Sequence, residues 1–199
     1  STVKKCKDTL SLIMNKAVCP QIPEGELNFK MILLDNGANV KTWREAVRSA
    51  IKDGAERFLL IGRGVPTRRS EKSSGIVVVD QINVSGQNPL VGPNDEEFGT
   101  RFPDMTDLYS PKLTEDVLIA GKQAGLVLQK GILLVPVSMT SSTSLEEKLI
   151  VQNEIAALSQ DVFAGAITVR HAGRQCTGII LFSDIDGKQL GLLLAHLDW

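Results

Sequence analysis

The chain has 199 residues, 43% of them hydrophobic and 23% charged, with a formal net charge of -1. Those values suit a single globular domain over residues 1–199, long enough to bury about two-thirds of the surface its unfolded chain exposes. They give no electrostatic case for nucleic acid or an anionic membrane as partner, and no apolar run approaches the roughly 20 residues of a membrane span.

Val3–Val18 has amphipathic helical spacing, with Leu10, Ile13, Met14 and Ala17 on one face. Leu10–Met14 is too short to be the apolar region of a signal peptide. Cys6, Cys19 and Cys176 are odd in number and lack metal-ligand spacing. They read as reduced thiols of a cytoplasmic protein, and no metal site is expected. Pro20 and Pro23 end the first helix. Phe29–Leu34 is a short apolar strand and Asp35-Asn36-Gly37 a turn. Thr42–Asp53 is a helix capped by Thr42, with Glu45 three residues on. Trp43, Ala46, Val47, Ala50 and Ile51 form its buried stripe, and Gly54 stops it. Arg57–Ile61 is a buried strand, and 62–66 is a sharp turn. Thr67–Ser74 is an exposed polar loop.

Gly75–Val79 is another buried strand, feeding a long stretch from Asp80 to Met105. Thr114–Lys130 is a helix capped by Thr114. Ile132–Val137 is a strand, Met139–Ser144 a polar loop, and Ser144 caps a helix reaching about Ser159. Phe163–Val169 and Thr177–Phe182 are the last strands, and Gln189–His196 is a terminal helix. Strands that are runs of branched apolar residues, alternating with helices, mean a sheet buried on both faces: the three-layer α/β class.

Asp80–Met105 is dense in Gly, Pro, Asn and Asp, which fix a specific, non-repetitive backbone path. Ile82, Val84, Leu90, Val91, Phe98, Phe102 and Met105 anchor it, and a loop of this length is functional or interfacial when it is ordered. Asp80–Asn83 (DQIN), Ser85–Leu90 (SGQNPL), Gly92–Asp95 (GPND) and Phe98–Met105 (FGTRFPDM) resemble the signature loop of the trimeric purine nucleoside phosphorylases. The resemblance implies a central mixed, partly barrel-like sheet flanked by helices. It also implies no cofactor, with phosphate as co-substrate if the chain is active. It places the loop at a trimer interface, with Gln87, Asn88, Pro89, Phe98 and Phe102 as contact residues and Phe98 against the sugar in a neighbour's site.

The positions that match the family's chemistry are mostly changed. Its Asn-Ala-Ala-Gly turn falls on Ile61–Gly64, where the backbone of Gly62 and Gly64 and the charge of Arg63 offer an anion site. Its base-gripping Glu is Ser142, its Met-Ser ribose pair is Gln160-Asp161, and its purine-recognising Asn is Asp184. A protonated Asp can donate to purine N7, and Asp at that position accompanies 6-aminopurine preference in related enzymes. His171-Ala172-Gly173-Arg174 matches by register a helix-to-strand turn, with His171 at a helix end and Gly173 breaking it. Gly62-Arg63-Gly64 lacks the third glycine of a dinucleotide loop. Cys176 reads as buried and inert, and His196 as an edge histidine. The expected function is a catalytically degenerate phosphorylase-like protein with an assembly role, pairing with itself or with an active homologue. The alternatives are an active phosphorylase with a rebuilt site and a purine or nucleoside sensor. In the active reading, Arg63, Gly62 and Gly64 hold phosphate, Asp184 meets the base and Phe98 comes from a neighbour.

Overall fold

The computed structural model describes residues 29–33 and 38–197. The helix expected at Val3–Val18, Cys6, Cys19 and the turn at Asp35–Gly37 lie outside them. The strands are β1 (Phe29–Leu33), β2 (Arg57–Arg63), β3 (Val65–Pro66), β4 (Gly75–Asn83), β5 (Leu128–Val135), β6 (Ile155–Leu158) and β7 (Gln175–Leu181). The helices are α1 (Val40–Lys52), α2 (Pro111–Gln123), α3 (Ser144–Gln152), α4 (Phe163–His171) and α5 (Gly187–Ala195). No described helix is long and apolar enough to cross a membrane.

The seven strands among the described residues form one sheet in the order β1-β2-β7-β4-β5-β6-β3. It is mixed: β1, β2 and β7 run parallel, β7 meets β4 antiparallel, and β4, β5 and β6 run parallel. The short β3 pairs antiparallel with β6 at the far edge. Yet β3 follows β2 in the chain after one residue, Gly64. A sheet whose second and last strands are joined by one residue must curl until they meet, which is the partly barrel-like form the resemblance implies.

Side chains alternate across this sheet and feed two cores. Phe58, Leu60, Ile76, Val78, Leu133 and Ile180 pack with Trp43 and Val47 of α1 and with Phe163, Ala166 and Val169 of α4. Leu59, Ile61, Val77, Ile179 and Leu181 pack on the other face with Leu113 and Val117 of α2 and Leu190 and Leu193 of α5. The result is three layers, α/β, as the alternation predicts.

Several boundaries differ from the sequence reading. The cap of α1 is Asn39, whose Oδ1 accepts the Thr42 N–H at 2.9 Å. The expected turn at 62–66 is split: Gly62 and Arg63 extend β2, and Val65–Pro66 is a strand. β4 continues to Asn83, past a register shift between Val78 and Asp80, so the first residues of the signature stretch are sheet. The helix expected at Thr114–Lys130 starts earlier, at Pro111 with Ser110 as cap, and Leu128–Lys130 belongs to β5. The helix α3 is capped by Thr143, not Ser144, in a capping box with Glu146. It ends at Gln152, so Ile155–Leu158 is free to form β6. The largest error is Phe163–Val169, expected as a strand and found as α4.

Gly64 is where the sheet closes. A Cβ there would lie 2.5 Å from the Leu158 carbonyl oxygen and 2.6 Å from Ile180 Cγ2. The first is backbone and cannot move aside without opening the β3–β6 pairing. Gly64→Ala is expected to destabilise the chain by about 3 kcal/mol, the upper range for overpacking, measured as a lowered midpoint in urea denaturation.

Candidate functional site

At the closure the chain turns from β2 into β3 and leaves polar backbone groups without sheet partners. The segment between β6 and α4 satisfies them. The Arg63 N–H donates to Asp161 Oδ2 at 2.9 Å, and the Ser159 hydroxyl donates to the Arg63 carbonyl. The Asp161 N–H donates in turn to Ser159 Oγ at 2.9 Å. Gly62 makes this possible, since a Cβ there would lie 2.4 Å from Asp161 Cβ. Val162 sits at a φ of +72°, so the chain reverses sharply into α4 without a side-chain cap. A left-handed φ is costly for a β-branched residue and is tolerated only where its surroundings hold it.

Beside this joint opens a cavity of about 710 Å³, whose lining includes Asn39, Arg63, Gln87, Gln160, Asp161 and Phe182. Its electrostatics rest on three residues. Asp161 is 5% exposed. Burial pushes its carboxyl up from an ordinary 3.8 to about 6, against the opposing pull of the Arg63 N–H, the Trp43 indole and the Arg63 charge. The indole N–H acts at longer range, for it makes no hydrogen bond of ordinary geometry. Arg63 is the one cation among the described residues lining the cavity, and its guanidinium is already ion-paired with Asp184. Asp184 itself is 84% exposed.

The structure therefore brings Arg63, Gly64 and Gln160 to one cavity, with Gly62 at its joint, while Asp184 stays in solvent outside the lining and touches Arg63. Gln160 is held by its Nε2, which donates to the Pro136 and Val137 carbonyls at 3.0 and 3.1 Å. Gln87 is the residue of the long loop that lines the cavity. Asn88 caps the Leu90 N–H at 2.8 Å, and buried Pro89 offers its carbonyl to Arg44 at 3.2 Å.

Two expected residues lie elsewhere. Ser142 is exposed ahead of α3 and does not line the cavity. The carboxylate of that region, Glu146, is buried but structural: it accepts the N–H groups of Thr143 and Val137 at 2.6 and 2.9 Å, which hold it below the usual carboxylate range. Phe98 is only 8% exposed and lies under Arg48, 4.4 Å from its ring centroid, with Lys52 at 5.4 Å. Within the chain its ring is taken up by its own α1. Among the described residues, Phe102 is the aromatic that stands out into solvent, 88% exposed. Cys176 is buried, and burial pushes its thiol up to about 12. Sequence reasoning placed Asp161 only as half of the changed ribose pair and did not single it out as the buried carboxylate, although an ionisable residue between two buried runs was a usable signal. Asn39 and Phe182 gave none, because nothing local marks a residue as facing a cavity.

The family model of the phosphorylase superfamily matches residues 45–195. The chain belongs to that superfamily. This phosphorylase-superfamily chain is 28% identical over 144 residues to purine nucleoside phosphorylase 1 of Geobacillus stearothermophilus, covering 72% of this chain and 53% of that protein. It is 34% identical over 114 residues to the purine nucleoside phosphorylase of Rattus norvegicus, covering 55% of this chain and 39% of that one. It thus spans about half the length, or less, of these curated relatives. Its fold is that of Schistosoma mansoni purine nucleoside phosphorylase, solved in complex with adenosine. The TM-score is 0.67 at 19% identity, over 99% of this chain and 82% of the other.

The raised Asp161 value has a definite sign. Between 3.8 and about 6 the folded chain holds a proton that the unfolded chain releases, so stability falls as pH rises through that window. Asp161→Asn keeps an oxygen for the Arg63 N–H and removes the titration. The variant is expected to gain on the wild type from pH 3.5 to pH 7.5, by no more than about 3 kcal/mol, read from denaturation midpoints across pH.

Proposed function

We propose that this chain binds a purine nucleoside in the cavity beside Gly64 and is a catalytically degenerate phosphorylase that works in assembly, with itself as a trimer or with an active homologue. The observation that carries this reading is the state of Arg63. Its guanidinium is neutralised by Asp184, and the buried ionisable group facing the same cavity is another carboxylate, Asp161. An incoming phosphate must displace Asp184 and approach Asp161, and both act against a dianion. A neutral nucleoside meets neither obstacle. The size of the cavity and the amides of Gln87 and Gln160 suit a ligand of that kind.

The assembly role rests on the long loop. It is stapled to α1 by ion pairs from Arg48 to Asp95 at 3.2 Å and from Lys52 to Glu97 at 3.5 Å, and it carries Phe102 outward. A large exposed aromatic on an anchored loop is a candidate contact for a partner. We assign to Phe102 the place against a neighbour's cavity that the sequence reading gave to Phe98. A cytoplasmic setting fits the reduced, buried Cys176.

A second reading, active phosphorolysis, has one observation in its favour: Arg63 does reach the cavity. If Asp184 turned to a bound base, the guanidinium would be released for phosphate.

The test uses purified protein of verified mass. Inosine or adenosine is expected to raise the melting temperature by several degrees at saturation, by mass action on the folded state. Free base should not appear above blank when phosphate is added. Base release abolished by Asp184→Ala would overturn the degenerate-enzyme reading in favour of the second. A monomeric mass at micromolar concentration, with no nucleoside-dependent stabilisation, would overturn the first.

A further inference from the structure

The C-terminal end of α4 carries two polar side chains that the cavity does not use. Arg170 Nε donates to the Asp104 carbonyl at 2.9 Å, and its guanidinium lies 3.9 Å from the Asp104 carboxylate. His171 is buried, with Nε2 3.0 Å from the Thr100 carbonyl. A carbonyl only accepts, so Nε2 bears the hydrogen and the ring is held as that tautomer. Nδ1 is left buried with no partner. Leaving a buried acceptor unsatisfied is unfavourable, and an apolar side chain would fill the same space without that cost. The ring is therefore better explained by the bond it makes than by packing.

The loop is shaped to receive it. A Cβ at Gly99 would lie 2.0 Å from the His171 carbonyl oxygen, so the loop backbone rests directly on the helix end. Asn94 Nδ2 donates to the Gly99 carbonyl at 3.0 Å, and Arg101 Nη1 donates to the Gly92 carbonyl at 2.6 Å. The turn is gripped at Thr100 by His171 and at Asp104 by Arg170. Phe102 stands midway between the two grips with its ring in solvent.

We infer that His171 and Arg170 are positioning residues that clamp the 99–104 turn to α4, so that Phe102 is delivered in a fixed place. The inference deepens the assembly reading and rests on it for the destination of Phe102. An aromatic ordered before contact loses less conformational freedom on docking than one on a loose loop.

The clamp is tested by the rate of tryptic cleavage after Arg101 in the full chain, with cleavage after Arg68 as internal reference. Nucleoside affinity and native mass are measured on the same samples. His171→Leu is expected to speed cleavage after Arg101 about tenfold, the loss of one buried hydrogen bond. His171→Gln, which offers an N–H donor at similar reach, is expected to restore most of the protection. Gly99→Ala pushes the turn off the helix end from the loop side and should act like His171→Leu, with α4 unaltered. Wild-type cleavage in His171→Leu or Gly99→Ala, or a glutamine variant as labile as the leucine variant, would overturn the clamp. Fast cleavage in His171→Leu with affinity and mass unchanged, and Phe102→Ala equally silent, would leave the clamp standing and overturn the role of Phe102 in a neighbour's cavity.

Discussion

The structure depends on a one-residue joint. β2 lies near one end of the sheet and β3 at the other, with Gly64 alone between them. Chain connectivity therefore forces the sheet to curl shut. The closure needs backbone to pass close to backbone, which is why glycine stands at 62 and 64. It also strands the Arg63 N–H and carbonyl away from ladder partners. An unpaired buried backbone group costs about as much as a lost hydrogen bond, and Asp161 and Ser159 supply the missing partners. The buried carboxyl at the cavity is thus part of the seam that closes the sheet. Its raised proton affinity follows from the burial that the seam imposes.

The second organising feature is the polar face of α1. Arg44, Arg48 and Lys52 recur at four-residue spacing, so they share one side of the helix. That side is covered by the long loop: Arg44 meets the Pro89 carbonyl, Arg48 meets Asp95 and the ring of Phe98, and Lys52 meets Glu97 and the same ring. The exposed ion pairs contribute little each. The Arg48–Phe98 contact is partly desolvated and carries more of the anchoring. Between this staple and the α4 clamp, the loop leaves Phe102 outward and Gln87 at the cavity, so one segment touches both the site and the outer surface.

Legibility in the sequence varied with how local each signal was. Continuous apolar runs such as Phe58–Ile61 and Ile76–Val78 were read as buried strands because nothing else accounts for such runs. The loop was legible through its turn residues. Phe163–His171 misled, because Ile167, Thr168 and Val169 favour strands and the helix begins at Val162 with no capping side chain to announce it. The 111–123 helix was displaced for the opposite reason: Thr114 offered a plausible cap, while the true one, Ser110, is followed by a proline that suits a first helical turn. Among the site residues, Arg63, Gly62 and Gly64 could be singled out by composition. Phe98 and Phe102 could not be told apart, since both are apolar residues in one irregular loop.

What the sequence determined by itself is the α/β class, the positions of most strands and the extent of the long irregular loop. These follow from hydrophobic runs and turn chemistry, which act within a few residues. The tertiary structure alone decided which strands pair, that β3 meets β6 across the closure, that Asp161 is buried against Arg63, and that Phe98 turns inward while Phe102 turns outward. Each of these is settled between segments far apart in the chain. Asp161 is 98 residues from the N–H it holds, and Phe98 is buried by a helix that ends before β2 begins. Hydrogen-bond partners and burial at such separations depend on how the sheet folds back on itself, and no local pattern of residues encodes that.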